Sequence, residues 1–262
     1  MILHFYKYQA TGNDFVVIDE NENVLPYNTE LIKFLCDRHF GIGADGLIIL
    51  RNNNDYDFEM KFFNSDGLPA SFCGNGSRCI VAYAYKKKYI RNTCKFLAFD
   101  GLHEALVLDS ETIKVKLNNV TNIIRHSDGY EINTGSPHFI KEVDTDLNLI
   151  DVNKEGRIIR NQERFAEKGI NVDFVQKDQK GKISIRTYER GVEAETLSCG
   201  TGSVASAIYS IINQEDGNYA VGVHTLGGML TVELQKQDNV FTNIWLCGKA
   251  IEVFEGNIKI NL

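Results

Sequence analysis

Proline is scarce in this chain, with three in 262 residues, and tryptophan occurs once. No Gly/Ser-rich or low-complexity stretch interrupts the sequence, so two domains, if present, are joined tightly. No apolar run approaches the ~20 residues that a membrane-crossing helix needs. The first residues, MILHFYKYQATGNDF, lack the hydrophobic core of a secretion signal, and the expectation is a cytoplasmic protein. Cations are also in deficit, 28 Lys and Arg against 35 Asp and Glu, a net charge of −7. That balance argues against a nucleic-acid protein, which needs surplus positive charge to neutralise phosphates. The run Lys86-Lys87-Lys88 follows a helical pattern and reads as a solvated helix C-terminus.

What is present fits a soluble globular protein: 43% apolar and 24% charged residues, in a chain long enough for one large or two ordinary domains. The six cysteines, at 36, 73, 79, 94, 199 and 247, read as reduced thiols rather than a disulfide framework. Alternating and short apolar runs predict strands at 15–19, 47–50, 56–62, 105–108 and 113–117. Helical patterns cover 29–38 and 74 to about 87. A second set follows, with strands at 172–176, 183–188, 221–223, 229–235 and 240–247 and a helix at 200–212. This is mixed α/β with many antiparallel hairpins, not a doubly wound sheet.

An internal repeat is the most informative feature. SFCGNGSRCIVAY at 71–83 is echoed by LSCGTGSVASAIY at 197–209. In each, a strand pattern and a polar corner precede Cys-Gly-x-Gly-Ser and a helical run. Asn64 and Arg190 each lie nine residues before their cysteine. A fainter echo links Asn13-Asp14-Phe15-Val16 with the segment Asn171–Val175. Glycines there let a ligand approach the backbone, and the first helical N–H groups form an anion site suited to a carboxylate. The same field lowers a thiol's pKa, so each cysteine is expected to gain thiolate character. Two such copies suit inversion at a stereocentre: one thiolate removes an α-proton and the other thiol protonates the opposite face. The pair needs one proton between two sulfurs, so activity should fall at both pH extremes.

The segments ATGNDFVVID (10–19), CDRHFGIGADGL (36–47), FFNSDG (62–67), FCGNGSRC (72–79), GSPHFI (135–140), INVDFVQ (170–176) and YERGVEAETLSCGTGS (188–203) resemble the diaminopimelate epimerase family over nearly the whole chain. The resemblance implies a cofactor-independent isomerase that interconverts LL- and meso-diaminopimelate by a two-base mechanism, in lysine and peptidoglycan precursor biosynthesis. It implies two pseudo-symmetric domains, each a strongly curved, largely antiparallel sheet around a central helix, with the active site in the cleft between them. The expected halves are 1–119 plus 249–262, and 120–248, with the last strand returning to the first half. Cys73 and Cys199 become the acid/base pair, supported by His138 and Glu189. Gly74, Asn75, Gly200 and Thr201 hold the reacting carboxylate, while Asn13, Asn64, Asn171, Glu189 and Arg190 bind the rest of the substrate. No cofactor, metal, nucleic acid or membrane is implied, and the partner beyond the substrate is a second copy in a homodimer. The chain departs from the family at three positions. Ser136 stands where many members have Asn and is left outside the expected site. Gly46 replaces a glutamine, and Phe254 replaces a tyrosine linked to dimerisation.

Other readings stay open at this point. Cys36, Cys79, Cys94 and Cys247 lie in apolar patterns and read as core residues. Cys36-Asp37-Arg38-His39 has metal-like spacing but lacks a second ligand pair. Gly41–Gly46 fits G-x-G-x-x-G in the reversed order, helix before strand, so no dinucleotide site is expected. A cysteine hydrolase using His138 would leave one cysteine idle, and a non-catalytic amino-acid binding module would need neither sulfur.

Overall fold

The computed structural model describes residues 1–70, 73–178 and 182–260. Its regular elements run β1 (Ile2–Ala10), β2 (Asn13–Asp19), α1 (Thr29–Cys36), β3 (Gly46–Arg51), β4 (Phe58–Asn64), α2 (Gly74–Lys86), β5 (Thr93–Ala98), β6 (Gly101–Val107) and β7 (Thr112–Lys116). There follow β8 (Ile123–His126), β9 (Gly129–Asn133), β10 (Pro137–Glu142), α3 (Val152–Arg160), β11 (Asn171–Lys177), β12 (Ile183–Glu189) and β13 (Ala194–Thr196). The last are α4 (Gly200–Ile211), β14 (Gly217–Thr225), β15 (Gly228–Gln237), β16 (Val240–Lys249) and β17 (Ile251–Lys259). No helix among the described residues is long and apolar enough to cross a membrane.

The chain divides into two compact units, one made of Met1–Val115 and the chain from Gly248, the other of Lys116–Cys247. In the first, β17 pairs antiparallel with β1 and β1 with β2; β2 lies parallel to β3, β3 antiparallel to β4, and β4 parallel to β5. Antiparallel β6 and β7 complete the series. The second unit repeats this alternation as β9, β10, β11, β12, β14 and β15. Parallel neighbours need a crossover, and each of these is made by a helix: α1 and α2 in the first unit, α3 and α4 in the second. The fold is therefore mixed α/β with mostly antiparallel pairing, in two halves of like connectivity.

Within each half the two helices take opposite faces of the sheet. Ile32 and Leu35 of α1 join Val16, Ile18, Leu47 and Ile49 in one core. The alternate residues Phe15 and Ile48 turn to α2, where a Cβ on Gly76 would stand 3.1 Å from Ile48. Burial on both faces explains why 15–18 and 47–50 are continuous apolar runs. In the second half, Val152 and Ile159 of α3 pack on Phe139, Val172, Phe174 and Tyr188. The alternate residues His138 and Asp173 face α4, where a Cβ on Gly202 would meet both. Because α2 and α4 are buried almost all round, they are built from Gly, Ala, Ser and apolar residues with few charges.

The elements hardest to foresee were α3 and β1, β5, β9 and β10. Helix α3, VNKEGRIIR, puts four charged side chains in nine residues and is stabilised mainly by its inward face. The repeat in connectivity also corrects the fainter echo in sequence. Asn13 opens β2, whereas Asn171 opens β11, whose counterpart by strand order is β3. Ser71 and Phe72 of the first repeat, and Asn261 and Leu262 of the expected last strand, lie outside the described residues.

Candidate active site: two cysteine-capped helix starts

In the first unit Cys73 is the N-cap of α2, with extended backbone angles, and its Sγ accepts the Gly76 N–H at 3.4 Å. A sulfur here replaces the oxygen of an ordinary Ser or Asp cap. The Cys73 thiol also lies 3.8 Å from Asn13 Oδ1, to which Asn75 Nδ2 donates at 3.2 Å. Beneath them sits Arg78, fully buried, donating to Asn75 Oδ1 at 2.7 Å, to the Thr11 hydroxyl at 3.3 Å and to the Gly74 carbonyl at 3.3 Å. A buried guanidinium thus orients the amide that orients Asn13.

From the other side, Asn13 Nδ2 donates to Asp45 Oδ2 at 2.8 Å. Arg38 bridges Asp45 and Asp14, and Lys7 lies 2.7 Å from Asp14. Burial pushes the Asp14 carboxyl up, but the hydrogen bonds and charges of Arg38 and Lys7 outweigh it and hold it well below the usual range. Asn64 ends β4 directly opposite Gly46. A Cβ at Gly46 would stand 2.6 Å from both the Phe62 ring and the Phe63 carbonyl, so no side chain fits there without moving backbone.

In the second unit Cys199 is the N-cap of α4 with similar angles, but its side chain makes no cap hydrogen bond. Its Sγ lies 3.5 Å from the Thr201 hydroxyl. The hydroxyl reaches His138 Nε2 at 2.9 Å, and His138 Nδ1 lies 2.6 Å from Asp173 Oδ2. Asn171, at the start of β11, donates to the Pro137 carbonyl at 2.9 Å and to the Ser136 hydroxyl at 2.8 Å, and accepts the Arg190 N–H at 2.9 Å. Glu189 ends β12 with its carboxylate accepting from Thr196 at 2.5 Å. Arg190 extends along the surface and donates to the Lys168 carbonyl at 2.9 Å.

The expected thiolate character is not found at Cys199. Burial, then the Glu189 and Asp173 carboxylates, push its thiol well above the ordinary range and outweigh the field of the helix. Burial likewise raises the Glu189 carboxyl. These surroundings favour the thiol form of Cys199 over the thiolate.

Each expected residue therefore lies at a strand end or a helix start. The first unit gathers Cys73, Gly74, Asn75 and Asn13, with Asn64 across the β3–β4 pair. The second gathers Cys199, Gly200, Thr201, His138 and Asn171, with Glu189 and Arg190 at the end of β12. Sequence reasoning missed Arg78, Asp45 and Asp173, and set Ser136 aside although it binds Asn171 directly. Signals existed: Asp173 interrupts the apolar INVDFV, and Arg78 precedes a wholly apolar helical run. Gly41–Gly46 does leave α1 and enter β3, the order opposite to a dinucleotide turn.

Solved structures share this two-half α/β fold. A phenazine biosynthesis protein of the PhzF family from Bacillus anthracis superposes with a TM-score of 0.79 at 13% identity, covering 99% of this chain and 100% of that one. A hydroxyproline epimerase from Agrobacterium vitis gives 0.69 at 14% identity, covering 98% and 92%. The family described as Diaminopimelate epimerase matches residues 5–123 and 130–251. The diaminopimelate epimerases of Flavobacterium psychrophilum and Aquifex aeolicus are 45% and 40% identical, each over 98% of this chain and over 100% and 98% of their own lengths. The chain belongs to the diaminopimelate epimerase family.

Proposed function

We propose that Cys73 and Cys199 are the two bases of a cofactor-independent epimerisation. The activity is that of a diaminopimelate epimerase, an isomerase of lysine biosynthesis. The observation that carries the two-base reading is the duplication itself. Each unit buries a helix capped by a cysteine and opened by glycine, and only a reaction with an acid and a base has use for both. As thiolate, one sulfur takes the α-proton; as thiol, the other delivers a proton to the opposite face, inverting the centre. The N–H groups of Gly74 and Asn75, and of Gly200 and Thr201, hold the reacting carboxylate as it gains enediolate charge. Each well-placed donor is worth about 3 kcal/mol in a water-poor site. Asn13, Asn64, Asn171, Glu189 and Arg190 take the distal amino-acid end, where the Arg190 guanidinium suits a second carboxylate. His138 and Glu189 support the sulfurs.

On this reading each half, 1–119 with 249–262 and 120–248, contributes one sulfur. The need for two free thiols supports a reducing, cytoplasmic setting. A homodimer involving β17 is the assembly we favour, supported by the exposed Val253 and Phe254 on that strand; light scattering of the purified chain at the monomer mass would reject it. The main test is incubation with LL-diaminopimelate in heavy water. Meso product carrying α-deuterium is expected, and absence of both isomer and exchange would remove the epimerase reading.

A further inference from the structure

Arg78 and Asp45 have no part in the mechanism above, yet they stand at the two ends of one chain of hydrogen bonds in the first unit. Arg78, fully buried on α2, donates to Asn75 Oδ1 at 2.7 Å. Asn75 Nδ2 donates to Asn13 Oδ1 at 3.2 Å, and Asn13 Nδ2 donates to Asp45 Oδ2 at 2.8 Å. Arg38 holds Asp45 in place through its other oxygen, at 2.7 Å. An asparagine side chain can turn over and exchange its oxygen with its nitrogen, so two linked amides alone could run in either direction. The ends of this chain remove that freedom. A guanidinium only donates and a carboxylate only accepts, and both impose the same direction. The second unit has no counterpart, since Thr201 and Val204 stand at the helical positions of Asn75 and Arg78.

We infer that Arg78 and Asp45 are positioning residues that act from opposite ends of this chain to keep the oxygen of Asn13, and not its N–H, turned to Cys73. This rests on reading Cys73 as an acid/base group. Cys73 Sγ lies 3.8 Å from Asn13 Oδ1 and accepts the Gly76 N–H at 3.4 Å. As a thiol the sulfur meets an acceptor, and as a thiolate it meets a donor, so each protonation state has a partner. The direction of the Asn13 amide matters to the chemistry. An amide N–H on the sulfur would stabilise the thiolate and weaken it as a base toward an α-proton, whereas the pinned oxygen keeps it basic. The charged and titratable groups on the elements around this sulfur are Lys7 on β1, Asp14 on β2, Arg38 and Asp45 between α1 and β3, and Arg78 and Cys79 on α2. Of these, Asp45 and Arg78 bond the side chains of Asn13 and Asn75.

The experiment uses the full chain with Cys199→Ala and no substrate. Iodoacetamide labelling of the Cys73 peptide is followed by mass spectrometry across pH, with Asn13 present and in an Asn13→Ala background. Asp45→Asn, equal in shape but uncharged, frees the Asn13 amide to turn its N–H to the thiolate. With Asn13 present it should lower the pH of half-maximal labelling by about one unit. In Asn13→Ala only the loss of a distant charge remains, and the shift should be less than half as large. Arg78→Met removes a positive charge, which raises the labelling pH, and frees the amides, which lowers it. It should therefore raise that pH more in Asn13→Ala than with Asn13 present. A purely electrostatic or structural role gives the same shift in both backgrounds. Equal Asp45→Asn shifts in the two backgrounds, or none with Asn13 present, overturn the inference. Equal Arg78→Met shifts remove Arg78 as the far end of the chain. If Arg78→Met does not fold, the Asp45 arm decides alone, because that side chain is exposed. Failure of epimerisation in the substrate assay leaves the labelling result readable, so the two readings fail separately.

Discussion

The two cysteine-capped helices share strand order, crossover pattern and N-cap geometry, yet the side chains beneath them differ in kind. Under α2 lies a fully buried cation, Arg78, working through the amides of Asn75 and Asn13. At the matching helical position α4 has Val204, and the polar groups come from the sheet instead, as His138, Asp173 and Glu189. The sulfurs are capped differently as well. Cys73 accepts a helix N–H, while Cys199 meets a hydroxyl with the Glu189 and Asp173 carboxylates near it, a setting that favours the thiol. Backbone duplication repeats the position of the sulfurs, while the side chains around them have diverged. On the two-base reading proposed above, such a difference is useful, because the pair needs one sulfur protonated and one not at the start of each turnover.

The comparison breaks most sharply at the sulfurs. Cys73→Ala and Cys199→Ala should each lower epimerisation by about 10²–10⁴-fold or more, measured as meso product formed from LL-diaminopimelate. Full activity in either variant would mean that the halves are not partners. Next in size is Arg78→Met. Removing the guanidinium leaves the buried Asn75 and Thr11 oxygens without its hydrogen bonds, and chemical denaturation should show a loss of about 2–4 kcal/mol. Val204→Met in the second half exchanges one apolar side chain for another and should cost about 1–3 kcal/mol by overpacking alone.

The glycines sharpen the comparison at smaller scale. A Cβ at Gly202 would stand 2.5 Å from Asp173 Oδ1, within a buried cluster that cannot yield, while at Gly76 it meets Ile48 Cδ1 at 3.1 Å. Gly202→Ala should destabilise by about 1–3 kcal/mol and depress activity, and Gly76→Ala should do less of both. The smallest effect is a difference in the sign of pH dependence. The folded Asp14 carboxyl lies below its unfolded value of about 3.9, so its stabilising contribution is complete above that pH and is lost as pH falls further. Glu189 is raised, so its charged form penalises folding once pH rises through its folded value. Melting curves across pH should show Asp14→Asn with a shallower acid limb, and Glu189→Gln with a small gain in stability near neutrality. Matching slopes in the two variants would refute the electrostatic contrast.

Much of this was legible in the residues themselves. The doubled Cys-Gly-x-Gly-Ser located both helix starts, and the runs at 15–19 and 47–50 marked strands, which the structure buries on both faces. Helix α3 was not legible, because four charges in nine residues mask a narrow apolar stripe that only Tyr188 and its neighbours define. Nor was the place of Asn171. Its likeness to Asn13 in local sequence suggested an equivalent role, but the strand order puts the two on non-equivalent strands.

The sequence by itself determined the two-fold plan, the cysteines and the glycines, because helix caps and close backbone approaches are local requirements that residue type must meet. Only the tertiary structure decided what each sulfur touches. Hydrogen bonds such as His138 to Asp173, 35 residues apart, and Thr11 to Arg78, 67 apart, depend on which strand lies beside which and on which face a side chain points. Burial then set the protonation of Cys199 against the local helix field, since the desolvation of a charge depends on everything packed around it.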